Sequence, residues 1–152
     1  MKLAEALILR ADCQKRIEQL KQRLLRSAKV QEGDKPAEDP QTLIAELEQI
    51  ATQLTRLIQQ INRTNSTVEL EKGLTLADAL ALRDVQQLKQ NIYRDLAKSA
   101  AITQDRLTKS EVRFRSAISV QDVQKQADTL AKEHRELDAR IQGLNWQADL
   151  RE

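Results

Sequence analysis

Apolar residues recur along most of the chain in alternating three- and four-residue steps, the spacing that places them on one face of an α-helix. The clearest run predicts a helix from Pro40 to about Asn62, and a second apolar row seven residues apart widens its face. The first row is Leu43, Leu47, Ile50, Leu54, Leu57 and Ile61, and the second is Ile44, Ala51 and Ile58. A face this wide can touch two neighbours, so we expect this helix to be the most buried one.

Three further helices follow from the same spacing. The first runs from Lys2 to about Lys29, the third starts near Leu76 and fades after Ser99, and the last starts at Ser119 and spans about 30 residues. The third has the thinnest apolar seam, formed by Ala81, Val85, Leu88, Ile92 and Leu96. The last keeps a strict four-three alternation at Val123, Ala127, Leu130, His134, Leu137, Ile141, Leu144 and Ala148.

Local signals mark the connections between these helices. Asp39 before Pro40 is typical of a helix N-cap, and Thr75 and Ser119, each three residues before an aspartate, have the spacing of a capping box. Alternation around Lys72-Gly73 predicts a short β-hairpin at about 67–76. Alternation around Phe114 predicts a strand at about 111–115 that would pair with it, since an isolated hairpin is marginal in water.

The predicted fold is therefore mainly α: four long helices in an up-down bundle with a small antiparallel β element. A chain of 152 residues is expected to form one domain, over 1–152. Only 2% of the residues are aromatic, so the core must be aliphatic, and a formal charge of +2 from 25 basic and 23 acidic residues demands no nucleic-acid partner. No apolar run is long enough for a membrane span, and we expect a cytoplasmic protein.

Few residues suggest catalysis. His134 is the one histidine and lies on a predicted seam, where hydrogen bonding in the core is its usual role. One histidine cannot supply the two Glu-x-x-His motifs of a di-iron bundle, and the glycines are isolated, so they form no phosphate-binding loop. The single cysteine, Cys13, lies on the seam of the first helix and is expected to be a packing residue. The sequence thus predicts no catalytic residue, no metal site, no cofactor and no enzymatic activity.

The best candidate for a ligand surface is a basic set around one aromatic residue. Arginines next to an exposed aromatic can follow a nucleic-acid backbone while the ring stacks on a base. The alternative is a half-buried strand whose aromatic ring packs inward while its arginines face water. The candidate residues are Arg106, Lys109, Arg113, Phe114 and Arg115, with Asn62, Arg63 and Asn65 as possible neighbours.

Three segments of the chain have sequences that suggest a known family: Met1 to Asp12, Ile61 to Asn65 with Leu76 to Asp84 behind it, and Glu136 to Trp146. They resemble the septicolysin-like family of small bacterial helical proteins. The resemblance extends over the whole chain and implies a helical fold. The family name alone implies a membrane-active, cytolysin-like role, and no residue carries an accepted catalytic function.

The function that the sequence favours is a structural or interaction protein that self-associates into a homo-oligomer. Wide seams on the second and fourth helices and a thin one on the third leave apolar surface for another copy. The alternative is an RNA- or DNA-binding module that uses the arginines around Phe114. Membrane activity comes third.

Overall fold

A computed structural model describes residues 1–101 and 114–152 of the chain. The four helices are α1 (Leu3–Ser27), α2 (Pro40–Thr67), α3 (Leu76–Ala100) and α4 (Val120–Gln147), and the two strands are β1 (Glu69–Glu71) and β2 (Leu74–Thr75). The prediction of a mainly α fold with four helices and a small antiparallel β element is confirmed. The chain divides into two compact units, Met1–Val68 with Leu144–Glu152, and Glu69–Gly143. A single domain over 1–152 stays a prediction.

The first unit is built on the pairing of α1 with α2. Their predicted apolar seams meet in an aliphatic core, in which Leu3, Leu20 and Ile61 are almost completely buried. Opposite charges flank this core: Arg23 donates hydrogen bonds to Glu38, and Arg16 lies 3.3 Å from Glu46. The hydrogen bond from Arg23 lowers the pKa of the Glu38 carboxyl. The sequence predicted both seams, but not these ion pairs.

The two ends of the chain are joined in the first unit. The amide of Leu3 donates to the Ala148 carbonyl, and the Lys2 ammonium lies 2.7 Å from Asp149. The hydrogen bond from Lys2 lowers the pKa of Asp149. The amide of Arg151 donates to the hydroxyl of Thr64, which is completely buried. The carboxyl-terminal residues therefore contribute to this unit through hydrogen bonds that no sequence motif predicts.

Helix α2 runs five residues beyond its predicted end. Asn62 and its polar neighbours are helix-stopping residues only when their side chains compete with the helical hydrogen bonds. Here the hydroxyls of Thr64, Ser66 and Thr67 donate to carbonyls one turn earlier, and the amide of Val68 continues the helical pattern to Thr64. Because these hydroxyls bond back along the helix, they do not compete for the amide groups, and the backbone pattern continues to Thr67.

The second unit begins with the hairpin. Strands β1 and β2 pair antiparallel around Lys72-Gly73, where Gly73 has a positive φ of 82°, a conformation that glycine adopts without steric cost. The guanidinium of Arg140 on α4 lies 2.6 Å from Glu71 of β1. The predicted hairpin is confirmed. The strand predicted near 111–115 falls on residues outside the described ones, except for Phe114 and Arg115, which are not in a strand.

Three predicted N-caps are confirmed. Asp39 accepts from the amide of Gln41 at 3.1 Å, and the hydroxyl of Ser119 accepts from the amide of Asp122 at 3.3 Å. At the start of α3, Thr75 accepts from the Asp78 amide, and its hydroxyl lies 2.6 Å from the Asp78 carboxylate. Because Thr75 is also the last residue of β2, this cap fixes the junction between sheet and helix.

Replacing Thr75 by Val removes the capping hydroxyl while keeping the branched shape of the side chain. We expect the free energy of unfolding to fall by about 1 kcal/mol, the usual loss for an N-cap. Urea unfolding followed by circular dichroism measures it. In the matched control, Thr52→Val, the hydroxyl of an exposed residue of α2 donates to the Glu48 carbonyl of its own helix, so the change should stay within about 0.5 kcal/mol. Equal losses in both variants would contradict a capping role.

Candidate interaction surface on the third helix

Helix α3 turns its apolar residues toward solvent. Its exposed apolar stripe consists of Leu82, Val85, Leu88, Ile92 and Leu96, whose exposed fractions lie between 42% and 60%. The steps between them are three, three, four and four residues, so they follow one side of the helix. Four of these residues belong to the seam that the sequence suggested for packing within the chain. The spacing was read correctly, but the side of the helix that carries it faces outward.

The opposite side of α3, which packs inside the unit, is largely polar. Its fully buried residues are Leu76, Ala79 and Ala97, all near the ends of the helix. Between them lie half-buried polar side chains, namely Arg83, Gln86, Gln87, Gln90 and Asn91. The usual amphipathic arrangement of a surface helix, with the apolar face inward, is therefore reversed over the middle three turns.

An ion pair and an amide network hold this polar side in place. Arg83 donates to Asp138 of α4 at 3.0 Å and to its neighbour Asp84 at 3.0 Å. Partial burial acts to lower the pKa of Arg83, but the hydrogen bonds to the two carboxylates outweigh it, so the pKa is raised. The Gln87 amide donates to Asn91 at 3.0 Å. Since Arg83 stays charged and paired with α4, α3 cannot rotate its stripe inward without breaking the pair.

Other surfaces offer weaker candidates. An open groove of about 420 Å³ lies between the end of α3 and the start of α4, with Arg94, Lys98 and Asp128 in its lining. It adjoins residues that the structure does not describe. Cys13 is buried, as a packing role requires, and His134 is half-buried. Within residues 1–101 and 114–152, no cluster of three or more potential metal ligands occurs.

The predicted ligand residues fall in separate places. Asn62 and Arg63 are exposed and Asn65 is half-buried, all on the last turns of α2 in the first unit. Phe114 is 52% exposed in an irregular segment of the second unit, and Arg115 beside it is exposed. Arg106, Lys109 and Arg113 lie outside the described residues. The two groups of candidate residues therefore belong to different units of the chain.

Sequence reasoning missed the orientation of α3. The signal that could have found it is the pairing of a thin apolar seam with a run of glutamines on the other side of the helix, at positions 86, 87 and 90. In the described part of the chain, none of the helices has the length and apolar character needed to cross a membrane.

Comparisons with known proteins relate the chain to a family of unknown function. A family model described as "Family of unknown function (DUF6847)" matches residues 10–150. The chain is also similar to a solved structure, described as a functionally unknown conserved protein from Corynebacterium diphtheriae, with 47% identity, a TM-score of 0.94 and 99% coverage of both chains. No curated protein matches.

The resemblance to the septicolysin-like family is therefore wrong. The model that matches residues 10–150 represents a different family, one of unknown function, and the similar solved structure is likewise described only as functionally unknown. Two of the segments that suggested the resemblance, Met1 to Asp12 and Leu76 to Asp84, are rich in Leu and Ala, which are common in the helices of many unrelated proteins. The membrane-active role that rested on the family name loses its basis.

Proposed function

Because this chain belongs to DUF6847, a family of unknown function, we propose from its own residues that it is a non-enzymatic interaction protein that self-associates through α3. The observation that carries the proposal is the exposed apolar stripe from Leu82 to Leu96 on a helix whose inward side is polar. The partner is a second copy of the chain.

The stripe is large enough to form the apolar centre of an interface. Five side chains, each about half exposed, present on the order of a few hundred Å² of contiguous apolar surface, the size at which patches on monomers are commonly functional. At about 25 cal/mol per Å², covering it on two copies contributes on the order of 15 kcal/mol, the same order as the 4–15 kcal/mol cost of association. The stripe can therefore supply the apolar centre of an interface, around which further contacts are needed to reach the roughly 1,200 Å² of a stable complex.

No comparable stripe exists on the described parts of α1 and α2. Their exposed apolar residues are separated: Ile8 and Leu25 are 17 residues apart on α1, and Ile44 and Ile58 are 14 residues apart on α2. Single exposed apolar residues are normal on monomers and need no partner. The apolar faces of both helices are also buried in the core that α1 and α2 share. The reversed helix α3 is therefore the surface that a second copy would cover.

The experiment compares oligomer mass with and without the stripe. The unmodified chain should elute as a dimer or larger species by size-exclusion chromatography with light scattering. Leu88→Gln/Ile92→Gln should weaken association at least about 100-fold, because four apolar side chains per dimer lose their burial. Circular dichroism should show unchanged helix content, since both residues face solvent within one copy.

The matched control is Ile44→Gln/Ile58→Gln, which changes two exposed apolar residues on α2. It should associate like the unmodified chain. A monomer for the unmodified chain at about 100 μM, or equal weakening in both double variants, would contradict self-association through α3.

A second candidate function is nucleic-acid binding, and one observation favours it. Phe114 is exposed, as base stacking requires, whereas the alternative of a half-buried strand would have its ring inward. Arg115 is exposed next to it, and Arg106, Lys109 and Arg113 complete the proposed basic set. Asn62, Arg63 and Asn65 belong to the other unit and stay a separate proposal.

Fluorescence anisotropy with a labelled single-stranded RNA or DNA tests this candidate. Binding should weaken as salt rises, and Phe114→Ala should reduce it about 10-fold or more through the loss of stacking. Ile118→Ala, an exposed apolar change four residues away, should leave it unaffected. If the unmodified chain binds neither the RNA nor the DNA at low salt, nucleic-acid binding is excluded as its function.

A further inference from the structure

The charges beside the exposed apolar stripe determine how two copies would pair. We infer that α3 pairs with α3 of a second copy in a parallel, in-register, two-stranded arrangement. This inference rests on the proposed self-association. An antiparallel pair would bury the same stripe, so apolar area alone does not decide between the two. The distinction comes from the edges of the stripe.

The two edges have opposite charge. Successive residues are about 100° apart around a helix, so Ile92 and Leu96 lie within about 20° of Val85 at the centre of the stripe. The acidic edge, formed by Asp84 and Asp95, lies about 80–100° to one side, and the basic Lys89 lies about 40° to the other side. The side chains of Asp84 and Asp95 are 70% and 74% exposed. Lys89 has no hydrogen-bond or ion-pair partner among the described residues.

An antiparallel pair brings like edges together. In the register that sets Val85 opposite Ile92 of the second copy, Asp84 comes within two residues of Asp95, or roughly 3 Å along the helix axis, and by symmetry this happens twice. On the other edge, Lys89 meets Lys89 near the two-fold axis. Like charges facing each other across an interface oppose association and select against the register that creates them.

A parallel pair brings the acidic edge of one copy to the basic edge of the other. With Val85 and Ile92 at the a positions of a heptad and Leu88 at the d position between them, Asp84 is at g and Lys89 at the following e. In parallel coiled coils a g residue meets the e residue five positions later on the partner, so Asp84 meets Lys89 twice per dimer. Val85 and Ile92 at a with Leu88 at d also favour two parallel strands.

The same heptad puts Asp78 and Asp95 at the neighbouring a and d positions, where each faces the same residue of the second copy, so the apolar seam of the parallel pair runs only from Val85 to Ile92. With two attractive and two like-charge contacts, the parallel pair is still favoured over the antiparallel pair, which has three like-charge contacts and no attractive one.

The pair that holds α3 in its own unit is compatible with this contact. Arg83 binds Asp84 through one carboxylate oxygen, Oδ1, and the side chain remains largely exposed. A carboxylate has two oxygens and can accept from a second cation. Asp84 can therefore bridge Arg83 of its own chain and Lys89 of the second copy, so the contact that selects the partner's direction leaves the pair between Arg83 and Asp138 intact.

A charge exchange tests the inference, because the two arrangements predict opposite signs. In the parallel pair, Asp84→Lys replaces two attractive contacts by two repulsive ones and should weaken dimerisation about 10-fold. In the antiparallel pair it would remove the repulsion with Asp95 and strengthen dimerisation. Asp84→Lys/Lys89→Asp should restore the affinity in the parallel case. Sedimentation equilibrium at low salt measures all three proteins.

Disulfide trapping gives an independent result. In a Cys13→Ala background, Val85→Cys should form a homodimeric disulfide under mild oxidation, because parallel copies place the two residues side by side. In the antiparallel pair these cysteines lie about seven residues, or roughly 10 Å, apart along the axis, too far for the bond. A mixture of Val85→Cys and Ile92→Cys would then cross-link instead.

The results of these experiments distinguish a failure of the parallel arrangement from a failure of self-association through α3. A dimer that is sensitive to Leu88→Gln/Ile92→Gln but strengthens with Asp84→Lys, or that traps only the mixed disulfide, overturns the parallel arrangement and leaves self-association standing. A monomeric unmodified chain overturns both. Weakening, restoration by the double exchange and the Val85 homodisulfide together support the parallel pair.

Discussion

The ion pair between Arg83 and Asp138 governs the orientation of α3. A half-buried guanidinium must keep its carboxylate partners, because leaving a charge unpaired inside a protein costs more than the pair itself contributes. With Arg83 directed toward α4, the glutamines that share its side of the helix also turn inward, and Gln87 bonds to Asn91. The apolar residues on the other side are left in water. Polar packing within one chain thus creates the apolar surface offered to another.

Much of the fold could be predicted because its determinants are local. The caps at Asp39, Thr75 and Ser119 depend on residues two or three positions away, and the hairpin depends on Gly73 at its turn. The end of α2 was missed because the same hydroxyl groups can either stop a helix or bond back along it. Their choice depends on tertiary context, such as the contact of Arg151 with Thr64.

The candidate surface was only half predictable. The apolar spacing on α3 was evident, but periodicity gives the angular position of a stripe without saying whether the chain itself covers it. That depends on where Asp138 lies, 55 residues from Arg83 in the sequence. The same reasoning explains why the packing faces of α1 and α2 were predicted well: their apolar seams meet in one shared core, so each covers the other. Arg106, Lys109 and Arg113 remain predictions from sequence.

The central claim is that the stripe on α3 is exposed in one copy and covered in the assembly. Hydroxyl-radical footprinting read by mass spectrometry, over a dilution series, tests it most directly. Reactivity at Val85, Leu88 and Ile92 should fall as concentration rises, while Ile8 and Leu25, exposed on α1, should keep theirs. Constant reactivity along α3 at every concentration, or protection of α1 instead, would contradict the claim.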